Sequence, residues 1–128
     1  LDKYAKSLEV EPEKITFNAM DEALLKRAMA IVEKNMDNIE FSTDEFAKEM
    51  NMSRSNLHLK LKAITGESTI DFIRKIRFNE AAKLLKDGRY TVAEVSTMVG
   101  FNTPSYFATS FKKYFGCLPT EYIKKSKG

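Results

Sequence analysis

One cysteine, one histidine, three prolines and five glycines are spread over 128 residues, and each scarcity removes a class of protein. The single Cys117 has no partner for an internal disulfide and leaves no Cys-rich zinc set, which fits a reducing compartment such as the cytoplasm. The single His58 lacks companion ligands for a metal and a nucleophile to activate, so an exposed helix histidine is expected. Few glycines and prolines, with 43% hydrophobic residues, exclude low-complexity and mostly disordered chains. Charges interrupt every apolar run well short of the ~20 residues of a membrane span. The N-terminal stretch Leu1-Asp2-Lys3-Tyr4-Ala5-Lys6 lacks the apolar block of a secretory leader, so a soluble, cytoplasmic chain without membrane contact is expected. There is no P-loop, no Gly-rich dinucleotide motif and no spaced carboxylate pair with a supporting residue. No catalysis, cofactor or metal is therefore expected.

What the chain does have is segregated charge. The net +3 conceals 7 basic and 12 acidic residues in positions 1 to 51, against 14 basic and 6 acidic in positions 52 to 128. A polyanion partner for the basic half is one reading, a solvated charged surface the commoner one. The length fits one ordinary domain or two very small ones sharing a core.

Helical punctuation runs throughout, and no segment reads as a strand, so the fold class is all-α. Leu24, Leu25, Ala28, Ile31, Val32 and Met36 predict an amphipathic helix over 21–36. Ser42-Thr43-Asp44-Glu45 is a capping box opening a short helix with Phe46, Ala47 and Met50 on one face, ending at Asn51-Met52. Ser53 caps a third helix to Thr65, terminated by Gly66. A long helix over 69–86 carries Ile70, Phe72, Ile73, Ile76, Ala81, Leu84 and Leu85, with Gly88 beyond its end. The order then restarts. Thr91-Val92-Ala93-Glu94 is a second capping box, Gly100-Phe101 a turn, and Thr103-Pro104 opens a helix with Phe107, Phe111, Tyr114 and Phe115 on one side, closed by Gly116. A final short helix begins near Pro119, with Tyr122 and Ile123 packing back.

Ser42, Glu45, Phe46 and Met50 match Thr91, Glu94, Val95 and Val99 at an offset of 49, while Leu57, Gly66, Phe72 and Ile73 match Phe107, Gly116, Tyr122 and Ile123 at 50. One residue is inserted at the turn. Two units are too few for a solenoid, which needs about three. A short capped helix, a tight turn and a longer helix make each unit a helix-turn-helix. A plain helical bundle is the bland alternative.

At about 100° per residue, Leu57, Leu61 and Ile64 face inward, which turns Ser55, Leu59 and Lys62 outward with Asn56 and His58 on the flanks. Phe107, Phe111, Tyr114 and Phe115 likewise turn Ser105, Thr109 and Lys113 outward, beside Tyr106 and Lys112. Both outward faces are polar and basic, without acids. In a DNA major groove such hydroxyls and amides bond base edges, and Leu59 meets a thymine methyl. The 18-residue helix 69–86 spans about 27 Å, close to the ~34 Å between elements one duplex turn apart.

Two helix-turn-helix units on one joining helix, with Val99-Gly100-Phe101-Asn102, Ser105-Tyr106-Phe107, Phe111-Lys112-Lys113-Tyr114-Phe115-Gly116 and Leu118-Pro119-Thr120-Glu121-Tyr122, resemble the DNA-binding domain of AraC/XylS-type bacterial transcription regulators. The resemblance covers 21–125, and Met52-Ser53-Arg54-Ser55-Asn56-Leu57 and Lys60-Leu61-Lys62 carry it in the first unit. Ala30-Ile31-Val32-Glu33-Lys34-Asn35 and Lys60-Leu61-Lys62-Ala63-Ile64-Thr65-Gly66 look most like members fused to two-component signalling modules, including hybrid sensor regulators. That resemblance implies that residues 1–20 are the tail of a linker from an upstream receiver domain; separately, a start at Leu1 rather than Met leads us to expect a piece of something longer. The implied layout is 21–66 for the first unit, 69–86 for the connecting helix and 91–125 for the second unit.

The resemblance implies sequence-specific binding of double-stranded DNA, with recognition helices in successive major grooves, for transcription regulation. It places base contacts at Ser55, His58 and Leu59 and at Ser105, Ala108 and Thr109, with Asn56 added from the outward face. Phosphate contacts are expected at Thr43, Arg54, Lys60, Lys62, Thr91, Tyr106, Lys112 and Lys113, since helix N-termini favour anions. Relatives often carry long basic or polar residues at the positions of Leu59 and Thr109, so arginine-guanine readout is not expected there. RNA polymerase is a further candidate partner, and dimerisation is expected through the upstream domains. Arg74 and Arg77 are read either as phosphate contacts or as salt-bridge partners of Asp71 or Glu80, and Lys124, Lys125 and Lys127 as a basic tail. The alternative function is a helical interaction module whose basic half meets an acidic protein. RNA ranks third, because side chains do not readily enter the deep A-form major groove.

Overall fold

Capping chemistry sets where each helix begins. The structure, a computed structural model, describes residues 18–127 and contains seven helices and no strand among them. α1 (Ala19–Lys34) starts where Asn18 Oδ1 accepts the Asp21 N–H at 2.9 Å, two residues before the expected start at Asp21. The lead-in expected over 1–20 otherwise lies outside the described residues. α2 (Thr43–Glu49) and α3 (Arg54–Thr65) open where Ser42 and Ser53 accept the Glu45 and Asn56 amides at 3.3 and 3.1 Å. α4 (Thr69–Asp87) follows Ser68, whose Oγ accepts the Asp71 N–H at 3.2 Å. α5 (Val92–Met98) has the complete reciprocal box, Thr91 N–H to Glu94 Oε1 at 2.8 Å and Glu94 N–H to Thr91 Oγ1 at 3.1 Å. α6 (Pro104–Phe115) is capped by Thr103 at 3.1 Å, and α7 (Pro119–Lys127) by Glu121 Oε1, which accepts the Leu118 N–H at 3.0 Å. Each such cap is worth about 1 kcal/mol.

The described residues divide into two compact units, one formed by 18–35 with Phe41–Ile76, the other by Met36–Glu40 with 77–127. The long helix α4 thus gives its residues through Ile76 to the first unit and those from Arg77 to the second. In the first unit Leu25, Ala28 and Val32 of α1 are buried with Phe46, Leu57, Leu61, Phe72 and Ile76, and Phe46 stacks on Phe72 with ring centres 6.0 Å apart. The second unit is organised around Phe78, whose ring lies 4.8 Å from Tyr114, 5.4 Å from Phe101 and 6.3 Å from both Phe111 and Phe115. Fully burying one such side chain contributes roughly 1.5–3 kcal/mol.

The duplication holds in three dimensions. α2 and α5 are offset by 49 residues, α3 and α6 by 50, and the starts of α4 and α7 by 50. The turn in each unit is closed the same way, by Met52 N–H to Ala47 O at 3.0 Å and by Phe101 N–H to Ser96 O at 2.9 Å. The inserted residue is Asn102, between this closure and the cap Thr103. Gly66 and Gly116 end α3 and α6 with φ of 78° and 86°.

One expectation needs correction. Met36 is outside α1, because the helix ends at Asn35, whose side-chain amide bonds back to Ile31 O at 2.9 Å; Met36 instead packs on the second unit's core. Ile70, in the first turn of α4, is 52% exposed, while Thr69, Phe72, Ile73 and Ile76 are buried. Lys124, Lys125 and Lys127, the basic tail, are exposed in the last turn of α7. Arg77 Nη2 donates to Asn38 O at 2.8 Å and its Nη1 to Gly100 O at 3.5 Å.

Candidate nucleic-acid interface

In the first unit, burial of Leu57, Leu61 and Ile64 fixes the roll of α3 and leaves Ser55, Asn56, His58, Leu59, Lys60 and Lys62 exposed. An open cleft is lined by Thr43, Arg54, Ser55, His58, Leu59 and Ile70, among others. Asn56, Lys60 and Lys62 are on the same helix outside that cleft. Leu59 is 64% exposed, an unusual place for a leucine in so polar a surface. Arg54 is not idle: its Nε pairs with Asp44 Oδ1 at 3.0 Å, both side chains being about two-thirds exposed. Exposed pairs of this kind are worth about 0–1 kcal/mol, so a phosphate can replace the carboxylate.

In the second unit, burial of Phe107 and Phe111 sets the roll of α6. Ser105, Thr109, Lys112 and Lys113 are exposed, whereas Ala108 is half-buried. Thr109 Oγ1 donates its proton to Ser105 O at 3.0 Å, leaving the hydroxyl oxygen able to accept from a base amino group. Tyr106 is 53% exposed, with its ring 5.6 Å from that of Phe101 in the turn. Thr91 is exposed and caps α5, and Thr43 is half-buried at the start of α2.

Arg77 was missed as a positioning residue. Burial lowers its pKa, opposed by the nearby Asp37 carboxylate. Its guanidinium holds the 36–40 segment against the turn that precedes α6. At Gly100 in that turn an added Cβ would lie 2.6 Å from Met36 O and 2.9 Å from Arg77 Cζ, so only glycine fits. No sequence signal marks Arg77, because its acceptors are backbone carbonyls far along the chain. The exposed Ile70 was missed because its residue type reads as core.

Among the described residues no group of three or more His, Cys, Asp or Glu side chains is placed to hold a metal ion, and no helix is long and apolar enough to cross a membrane. Cys117 is buried and His58 exposed.

Comparison with known proteins gives this geometry a family. A family profile described as a helix-turn-helix domain matches residues 46–125. Histidine kinase P4 of Formosa agariphila is 38% identical over 120 residues, 94% of this chain and 9% of that protein, so the chain spans a small part of that relative. The C-terminal domain of AraT, a response regulator from Geobacillus stearothermophilus, superposes with a TM-score of 0.74 at 30% identity, covering 80% of this chain and 84% of that one. A Chromobacterium violaceum transcriptional regulator described as AraC-type shares the fold, with a TM-score of 0.75 at 24% identity over 85% of this chain and 96% of that one. With the profile spanning both repeated units, the chain belongs to the AraC-type family of helix-turn-helix, DNA-binding transcription regulators.

Proposed function

We propose that this chain recognises specific double-stranded DNA sequences through two recognition helices, α3 and α6, each entering a major groove, the two grooves being successive. The observation that carries this reading is that equivalent helices in two duplicated units present exposed faces of small polar and basic side chains without a single acid. Ser55, Asn56, His58 and Leu59 contact bases from the first unit, and Ser105 and Thr109 from the second. Half-buried Ala108 offers only a methyl contact. Arg54, Lys60, Lys62, Lys112 and Lys113, with the helix starts at Thr43 and Thr91 and the Tyr106 hydroxyl, hold phosphates.

The chain acts as an output domain of a two-component signalling protein in the cytoplasm, dimerising through upstream domains. Similarity to a histidine kinase over 94% of the chain and to the C-terminal domain of a response regulator supports this placement. Regulation is then of DNA binding rather than of a reaction.

Selecting duplexes from a random library with this chain tests the reading. Ser105→Ala and Thr109→Ala should then lose discrimination at particular base pairs, by about 1–3 kcal/mol for each good contact. Equal weakening on all sequences would assign both residues to the backbone, and no enrichment of any duplex would refute specific binding.

A further inference from the structure

Leu59 and Ile70 come from different helices yet line one cleft, and they are 64% and 52% exposed. Single exposed apolar residues are ordinary, but these two line one cleft together with Ser55 and His58, within the proposed base-reading face. The rest of the cleft wall is Thr43, Arg54, Ser68 and Thr69, with no acid. The duplication supplies a second observation. At an offset of 50 the counterparts of Leu59 and Ile70 are Thr109 and Thr120, both exposed. The first unit is therefore apolar at both positions where the second is hydroxylated at both. One exchange alone would be unremarkable surface drift; a matched pair lining one cleft is a change in what the surface contacts.

We infer that Leu59 and Ile70 form a thymine-methyl reading surface in the first unit, which makes Ile70, outside the recognition helix, a specificity-determining residue. This rests on the proposed DNA-binding reading. In the major groove the only apolar group a base presents is the thymine C5-methyl; cytosine, adenine and guanine present amino donors and ring or carbonyl acceptors. Against those groups Leu59 and Ile70 would strip water without returning a hydrogen bond, so they select by penalty as well as by contact. Ser55 and His58 supply the polar contacts beside them, and Arg54 the adjacent phosphate contact. The two units then read different chemistry, methyl groups by the first and amino groups by the Thr109 hydroxyl of the second.

The test uses the 128-residue chain and a duplex it has enriched from a random library, with each thymine in turn replaced by deoxyuridine, which pairs identically but lacks the methyl. Loss of one buried methyl, ~0.8 kcal/mol, corresponds to about fourfold weaker binding. At least one thymine should show that loss, at a position distinct from those affected by Ser105→Ala. Leu59→Thr and Ile70→Thr, exposed substitutions that mimic the second unit and leave the melting temperature unchanged, should each shrink the deoxyuridine effect, and together abolish it. A tightly bound duplex indifferent to every exchange overturns the inference while leaving DNA binding intact. Full deoxyuridine sensitivity in Ile70→Thr overturns the role of Ile70, and failure to enrich any duplex removes both readings.

Discussion

Asn51 and Gly100 occupy the same place in the two repeats and share a left-handed backbone, with φ of 57° and 79°. Each begins the turn between the two helices of its unit. Asparagine tolerates this conformation better than other residues with a side chain, at a modest cost, but at Gly100 the Met36 carbonyl and the Arg77 guanidinium occupy the space a Cβ needs. Asn51→Gly should be neutral or stabilising by under about 1 kcal/mol, whereas Gly100→Ala should cost at least ~2 kcal/mol from backbone strain and collision together. Thermal melting of the two variants checks the asymmetry; equal effects would show that the close approach at Gly100 is not limiting.

Ser96 is 1% exposed, and its Oγ has no hydrogen-bond partner. Its counterpart in the first unit, at an offset of 49, is Ala47, also buried. Ser96→Ala removes an unsatisfied hydroxyl and adds helix propensity, so it should stabilise by about 1 kcal/mol and raise the melting midpoint by ~3–5 °C. An unchanged or lower midpoint would mean that the hydroxyl is satisfied in solution.

Arg77 joins two backbone carbonyls, of Asn38 and Gly100, that are 39 and 23 residues away from it in sequence. Arg77→Ala strands both acceptors and should destabilise by about 1.5–3 kcal/mol, with Arg77→Lys intermediate because one ammonium does not reproduce the fork. Amide exchange should quicken first across 36–40 and around Gly100. Uniform quickening across all helices would instead make Arg77 a general core residue.

The parts of the fold that obey local rules were legible in the sequence. Ser42, Ser53, Thr91 and Thr103 open helices, and Gly66 and Gly116 close them, because capping depends on residues within one turn. The outward faces of α3 and α6 followed from periodicity alone. What periodicity left hidden depends on distant partners. Phe78, flanked by Arg77 and Asn79, does not stand out as core, yet four aromatic rings surround it. Ile70 carries a core residue's chemistry on an exposed first turn. Nothing in the local pattern shows that Arg54 pairs with Asp44 or that Ala108 is partly buried, since both depend on how the helices pack.

That Asp44–Arg54 pair makes a further prediction. Asp44→Asn frees the guanidinium and removes a negative charge beside the proposed phosphate path, at a stability cost of under about 1 kcal/mol. Affinity for duplex DNA should rise several-fold at low salt, and the gain should fade as salt screens the interaction. Unchanged affinity would place Arg54 away from the phosphates.

The most direct test of the account is the dissociation constant for an enriched duplex measured across a series of salt concentrations. Arg54, Lys60, Lys62, Lys112 and Lys113, each neutralising one phosphate, predict that log affinity falls against log salt with a slope of about −4.5. Lys60→Ala and Lys112→Ala should each make that slope shallower by about one, on any sequence. A slope near zero, or no binding at low salt, would contradict the claim that these two faces hold DNA.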